Sequence, residues 1–385
     1  MNTAEKLRVA VLFGGRSGEH EVSLVSAMNV IQNLDRSRFE IVPIGIDKQG
    51  SWFLGDDVFN KELKAPAVLR LQRDAERMLF NPELIVQSRP TGLAALASTE
   101  MTTQRLFDVI FPVIHGPLCE DGTIQGLLEL AEVPYVGCGV LSSSVSMDKD
   151  VSKRLIRDAG IAVPSYLVIK RGQWDKNPEH YCDLVKQQLT YPVFVKPANT
   201  GSSVGVHKVK NHENLIAAIQ DAFIYDTKVT VEQGLDVIEI EVAVLESLEA
   251  GADPIISVPG EIRPSAQHEF YSYASKYMDE NGAELLIPAP ISDTLQQTIR
   301  GMAKDIFQAL ECEGMARVDL FIERSTHKIY FNEVNTIPGF TTISMYPKLM
   351  AASGISYTEL LTHLVMLATQ RHTRKAKLSR EYVAV

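Results

Sequence analysis

The chain reads as two unlike halves, an α/β region built on a small parallel sheet and then an α+β region of antiparallel strands. Three observations carry that reading. Residues 7–13 (LRVAVLF) are an unbroken apolar run closed by Gly14-Gly15, as expected of a strand buried on both faces. Residues 21–34 follow with apolar groups at helical spacing: Val22, Val25, Met28, Val30, Ile31 and Leu34. The second half instead carries strand-like runs close together, with polar residues two apart on a shared face, as in ARVDLF (316–321) and FNEVN (331–335).

Taken in order, residues 41–46 and 105–113 are further strands of the first half, a helix spans about 122–131, and a short strand stands at Tyr135-Val136. This β-α-β alternation predicts a parallel sheet with helices on both faces over residues 1 to about 147. Residues 87–103 have weak pattern and read as a loop, and the charge run 371–380 (RHTRKAKLSR) reads as a solvated tail. In the second half, helices are expected at 150–159, 214–222 and 295–310. Strands are expected at 192–197, 204–209, 229–232, 239–245, 316–322 and 329–335, the last two as a hairpin. Residues 260–289, rich in Tyr, Ser and Pro, read as a long ordered loop.

With 385 residues the chain has room for two or three domains, and 45% apolar residues are enough for a real core. A net charge of −10 argues against a nucleic-acid partner, because no basic surplus is available to neutralise phosphates. Cys119, Cys138, Cys182 and Cys312 form no C-x-x-C and suit free thiols in a reducing compartment. The apolar stretch near the N-terminus is too short for a signal peptide, and no run reaches the ~18 residues of a membrane span, so a soluble cytoplasmic protein is expected.

A hairpin turn centred on Thr326 sets Asp319 opposite Glu333 and Arg317 opposite Asn335, on one face with Phe321 and Phe331. Two opposed carboxylates repel. Either Arg317 bridges the acids on an exposed strand face, or a hard divalent ion, Mg²⁺ or Mn²⁺, sits among the oxygens. The Gly/Ser loop in KPANTGSSVG (196–205) follows a strand, so its backbone amides could ring a phosphate with Lys196 at its base. It is no Walker A loop, since it lacks G-K-[ST]. VTVEQGL (229–235) offers an adenine slot, with Glu232 as acceptor for an exocyclic amine, Leu235 for packing and Glu239 toward a ribose.

Lys149, Lys196, GSSVG, VEQGL, ARVD and NEVN stand in an order that resembles the ATP-grasp superfamily. GGRSGEHEVS (14–23), HGPLCEDG (115–122), Met147-Asp148-Lys149, Lys276-Tyr277 and residues 335–339 with Ser344-Met345 narrow the resemblance to the D-alanine–D-alanine ligase family, from about residue 7 to about residue 370. One position departs: Cys119 stands where the family usually has a second glycine, so a positive φ there would reshape the loop.

The resemblance implies a Rossmann-like parallel-sheet domain (1–147) holding the first D-alanine, followed by a two-lobed ATP-grasp domain. Its central lobe would span 148–229, its C-terminal lobe 230–370, and a tail 371–385. It implies ATP-dependent joining of two D-alanines through a D-alanyl phosphate, to supply the dipeptide for peptidoglycan, by a cytoplasmic homodimer. Glu19 would hold the first D-alanine's ammonium, with His115 near its carboxylate, and Ser202 and Tyr277 would link to Glu19 and close the site. Lys149, Lys196 and Lys276 would bind ATP phosphates, and Glu232, Leu235 and Glu239 the nucleoside. Ser202, Ser203, Gln233, Gly234, Phe270, Asn332 and Glu333 would complete the ATP site. Asp319, Glu333 and Asn335 would hold two Mg²⁺ ions. Arg317 and the Gly339 backbone would stabilise the oxyanion, while Ser344 and Met345 would bind the second D-alanine's carboxylate. The segment 260–289 would be the lid.

Ligases making D-alanyl-D-lactate or D-alanyl-D-serine are the alternatives within the family, and Tyr277 in place of the histidine of lactate-selecting members favours the dipeptide. A dinucleotide-binding module is disfavoured, because GGRSGE lacks the G-x-G-x-x-G spacing. A non-catalytic nucleotide sensor would need the metal trio broken, and all three members are present.

Overall fold

In the computed structural model, residues 6–54, 76–78, 107–265 and 282–382 are described. The first sheet runs in the order β4-β3-β2-β1-β5. Its centre is parallel: β1 (Leu7–Gly14) lies between β2 (Phe39–Ile46) and β5 (Val109–Pro112). β3 (Trp52–Leu54) and β4 (Glu76–Met78) extend one edge in antiparallel fashion. Side chains of β1 alternate between two cores: Val9, Val11 and Phe13 enter one, Ala10 and Leu12 the other, which is why the run is apolar throughout. The expected strand at Tyr135-Val136 is a single parallel bridge from Tyr135 to Ile110.

The central lobe is a four-stranded antiparallel sheet, β6 (Tyr166–Lys170), β9 (Lys228–Gln233), β7 (Val193–Pro197) and β8 (His207–Val209). Its own core is closed by residues of the helices Pro178–Gln188 and Leu215–Tyr225. The last strand of this sheet, β9, ends at Gln233.

The third sheet has the order β13-β12-β10-β14-β15, with β11 (Ile255–Ile256) paired to β10 (Val237–Leu245). The hairpin β14 (Met315–Glu323) and β15 (Ile329–Asn335) forms as expected, with the helix Asp293–Ala309 behind it. Two corrections arise here. Residues 260–289 are not one long loop: β12 (Gly260–Pro264) and β13 (Ala283–Leu286) pair antiparallel at the sheet edge. Residues 266–281 between them, with Phe270, Lys276 and Tyr277, lie outside the described residues, as does the loop expected at 87–103. The charge run from 371 is not wholly solvated either. Arg371, a turn before the end of the helix Tyr357–Lys375, is buried and donates to the carbonyls of Gly137 at 2.5 Å and Tyr135 at 2.7 Å.

That helix and Met345–Ala352 pack their apolar sides into the core that also takes Val9, Val11 and Phe111 of the first sheet and Ala243 and Leu245 of β10. The first domain and the C-terminal lobe therefore share one core, while the central lobe keeps a separate one. Among the described residues no helix is long and apolar enough to cross a membrane.

Candidate active site

The hairpin register places Arg317 opposite Asn335 and Asp319 opposite Glu333, as expected, and then shifts by one residue, so that Leu320 pairs with Phe331 and Phe321 with Tyr330. Asn332 is the extra residue of a β-bulge. The expectation that Phe321 and Phe331 share the acid face is thereby overturned: Phe331 is wholly buried in the core behind the sheet. Simple alternation would send one of Asn332 and Glu333 backward. The bulge instead lets both line the cleft, while Phe331 and Val334 anchor the strand from behind.

Arg317 does bridge acids. Its Nε and Nη2 donate to Asp319 at 2.8 and 2.7 Å, and Nε lies 3.1 Å from Glu241. Asn335 Nδ2 also donates to Asp319, at 3.0 Å. This is no exposed strand face, however, since Arg317 is largely buried and the group lines an inner wall. Burial works against the Arg317 charge, but Asp319 and Glu241 outweigh it and hold the guanidinium's pKa well above its ordinary value. Among the described residues no three His, Cys, Asp or Glu side chains cluster for a metal. The donor set near Asp319 is two carboxylates and a carboxamide, all oxygen, which fits a hard divalent ion completed by water or phosphate oxygens.

Between the two lobes lies a cleft of about 470 Å³, lined by Lys149, Lys196, Ser202, Ser203, Glu232, Gln233, Gly234, Leu235, Glu239, Asn332 and Glu333 among others. All the described members of the expected ATP site thus meet in one place. Lys149 is set by its helix, whose N-cap Asp148 accepts from the amides of Asp150 and Val151. Lys149 Nζ donates to the Thr200 carbonyl at 2.6 Å and stands 3.7 Å from Glu333. In the loop, Ser202 and Ser203 adopt left-handed φ of 49° and 58°, a strain that marks a built loop rather than a slack one. Gly234 approaches so closely that a Cβ would meet the Pro192 carbonyl at 2.5 Å. Lys196 donates to Glu232 at 2.8 Å, and Lys153 reaches the same carboxylate at 3.2 Å. Burial would raise the Glu232 pKa, but the two lysines outweigh it and bring it down to about 2.

A second, smaller pocket of about 80 Å³ opens beside the cleft and shares Gly201, Ser202, Glu241, Ile262 and Glu333 with it. Glu19, His115, Arg317, Asn335, Gly339, Ser344 and Met345 line it. The Ser202 hydroxyl donates to Glu19, joining loop and first domain. Gly116 and Gly201 make room for that carboxylate, since a Cβ on either would stand 2.6 or 2.8 Å from Glu19 Oε2. Ser344 precedes the helix Met345–Ala352 and bonds Thr341. A side chain on Gly339 would strike Ser344 Oγ at 2.6 Å. Cys119 is buried in the first domain's core and does not have positive φ; Leu118 does, at 69°, so the loss of glycine at 119 asks nothing unusual of the backbone.

His115 is held by Ser26 Oγ at 3.0 Å, the Ile337 carbonyl at 3.1 Å and Glu120 at 3.8 Å. Burial opposes its charge, but Glu120 and Glu19 outweigh it and raise the imidazole pKa. A raised folded-state pKa gives stability that is full below the ordinary value of about 6.5 and lost as pH rises through the folded value. The gap in thermal unfolding temperature between wild type and His115→Gln should therefore be widest in mild acid and narrow toward pH ~9. A gap that does not change with pH would show that His115 works as a neutral ring.

Glu241, Glu120 and Lys153 escaped the sequence reading. Glu241 had a signal, since VIEIEVAVL sets it two residues from Glu239 on one strand face, the same oddity as Asp319. Lys153 lies one helical turn beyond Lys149 on the same face.

Two lobes closing on a lysine- and acid-lined cleft, with a small polar pocket at its inner end, define the class: ATP-grasp ligases, which activate a carboxylate for attack by a nucleophile. Family models described as the D-ala D-ala ligase N-terminus and C-terminus match residues 8–138 and 155–366. The chain is 50% identical over 383 residues to D-alanine–D-alanine ligase A of Bradyrhizobium diazoefficiens, covering 99% of this chain and 100% of that one. Solved structures resemble it as well. The D-Ala:D-Ser ligase VanG of Enterococcus faecalis superposes with a TM-score of 0.77 at 37% identity, covering 94% of this chain and 100% of that one. The D-alanine–D-alanine ligase of Coxiella burnetii gives 0.75 at 34% identity, with 97% of each chain covered. The chain belongs to the D-alanine–D-alanine ligase family.

Proposed function

We infer that the chain joins two D-alanines at the expense of ATP, forming the dipeptide used in cell-wall synthesis. The observation that carries this is the junction of the two cavities, where Ser202, Glu241 and Glu333 line both. A phosphoryl group at the inner end of the cleft is thereby next to a carboxylate in the small pocket. The first D-alanine's ammonium pairs with Glu19. One of its carboxylate oxygens attacks the γ-phosphorus, the bond to the β-bridging oxygen breaks, and ADP leaves. Lys149 and Lys196 hold the phosphates, and the reaction is driven mainly by positioning and charge neutralisation. The second D-alanine seats its carboxylate on Ser344 and the N-terminus of the helix Met345–Ala352, where free amides favour an anion. Its amine, having lost a proton, attacks the acyl carbon. Arg317 and the Gly339 amide stabilise the oxyanion, and phosphate departs.

Asp319, Glu333 and Asn335 are the residues that would hold two divalent cations, Mg²⁺ or Mn²⁺. When bound, such ions neutralise phosphate charge. A lid role for the segment between β12 and β13, with Lys276 and Phe270 assigned to ATP and Tyr277 to closing the site, belongs to this reading as the family resemblance implies it, as do a homodimeric state and a cytoplasmic location where ATP is at hand. The test is phosphate release from ATP with D-alanine, D-lactate, D-serine and L-alanine side by side. D-Alanine alone should sustain turnover, with dipeptide as product. Release of equal rate with D-lactate or D-serine added to D-alanine, with mixed products, would transfer the assignment to the ester- or serine-forming relatives.

A further inference from the structure

Lys153 is the feature of this site that the mechanism leaves unused. It is wholly buried on the helix Lys149–Asp158 and does not line the cleft. Placing an ammonium in a protein interior is costly unless its three donors find acceptors. At this position they do. Nζ donates to the backbone carbonyl of Asn332 at 2.8 Å, lies 3.2 Å from Glu232 Oε1 and stands 5.7 Å from the centre of the Phe331 ring. These partners come from two different sheets: Glu232 from β9 of the central lobe, Phe331 and Asn332 from β15 of the C-terminal lobe.

The carbonyl it takes is that of the bulge residue. A bulge leaves its extra residue outside the ladder, so that residue needs a partner elsewhere. The bulge at Asn332 is also what allows Asn332 and Glu333 both to line the cleft. We propose that Lys153 is a positioning residue for nucleotide binding, clamping the Asn332 carbonyl to Glu232 so that the bulged strand and the base-reading carboxylate hold one fixed relation across the cleft. The inference rests on the nucleotide reading of the cleft. Lys153 acts through Glu232 and through the backbone before Glu333, and on neither D-alanine.

The test compares wild type with Lys153→Met, which keeps length and apolar bulk, and Lys153→Arg, which keeps the charge but not the three-donor geometry. Binding of non-hydrolysable ATP and GTP analogues with Mg²⁺ is measured by calorimetry, alongside KM for ATP and for D-alanine. Lys153→Met should weaken ATP binding by about 10- to 100-fold, the loss typical of a hydrogen bond to a charged group. It should also erode the preference for the ATP analogue over the GTP analogue, because Glu232 is then held by Lys196 on one oxygen and no longer tied to the bulged strand, and leave the D-alanine KM unchanged. Lys153→Arg should shift in the same direction by less. A parallel rise in both KM values with base preference intact would mean that Lys153 only supports the fold, and would overturn the proposal. Should Lys153→Met fail to fold, Lys153→Arg decides: wild-type ATP binding in that variant, or failure of both variants to fold, overturns it. A wild type that binds no ATP analogue would overturn the nucleotide reading of the cleft itself, which is a separate failure.

Discussion

Glu333→Gln is expected to lower kcat by more than about 100-fold, beyond the 10- to 100-fold that loss of an outer-shell partner of a metal usually costs. The change keeps shape and removes one charge. Lys149 stands 3.7 Å from the carboxylate, and in the proposed metal site Asp319 and Asn335, set beside Glu333 by the hairpin register, would complete an oxygen donor set with it. The strand should survive, because its hold on the core comes from Phe331 and Val334, both buried, and not from Glu333. Kinetics over a Mg²⁺ titration, together with thermal unfolding of both proteins, provide the check. An unfolding temperature near that of wild type with turnover lost is the expected pair. Near wild-type turnover at saturating Mg²⁺ would remove Glu333 from the metal site.

Arg317→Lys ranks second in expected effect. Lysine keeps the charge but loses the planar fork that grips Asp319 through two nitrogens at 2.8 and 2.7 Å. If Arg317 stabilises the oxyanion, kcat should fall by roughly 10²–10³, as when one such donor is removed, with little change in the KM for D-alanine. The reverse pattern, an altered D-alanine KM with kcat retained, would make Arg317 a binding residue. Glu241, 3.1 Å from Nε, matters for the outcome: with Asp319 it fixes the guanidinium in the wall of the small pocket, so a shorter-reaching ammonium is left between two acids rather than aimed at the pocket.

Where local pattern decides, the sequence was readable. The run from Leu7 and the register of Arg317 with Asn335 and Asp319 with Glu333 emerged as expected, since burial on both faces and a short turn leave few alternatives. The bulge was not readable: one extra residue leaves the alternation intact on either side of it, and only the burial of Phe331 reveals the shift. β12 and β13 were read as loop because each is short, β12 ends in proline, and their pairing joins residues far apart in sequence. Arg371 looked like one charge in a solvated run because its acceptors, the carbonyls of Tyr135 and Gly137, belong to another domain. Lys153 was missed for a similar reason, as nothing local distinguishes a lysine that points at a bulge from one that points at water.

The central claim is that the small pocket delivers a D-alanine carboxylate to the γ-phosphate in the adjoining cleft. The most direct measurement follows heavy oxygen placed at both carboxylate positions of D-alanine through a turnover with unlabelled ATP and water, reading phosphate and nucleotide by mass spectrometry. Attack of that carboxylate on phosphorus, then expulsion of phosphate from the acyl carbon, predicts one labelled oxygen in each inorganic phosphate released and none in the nucleotide. Unlabelled phosphate, or label appearing in AMP, would contradict the account, because the carboxylate would then have been activated elsewhere than at the γ-phosphate.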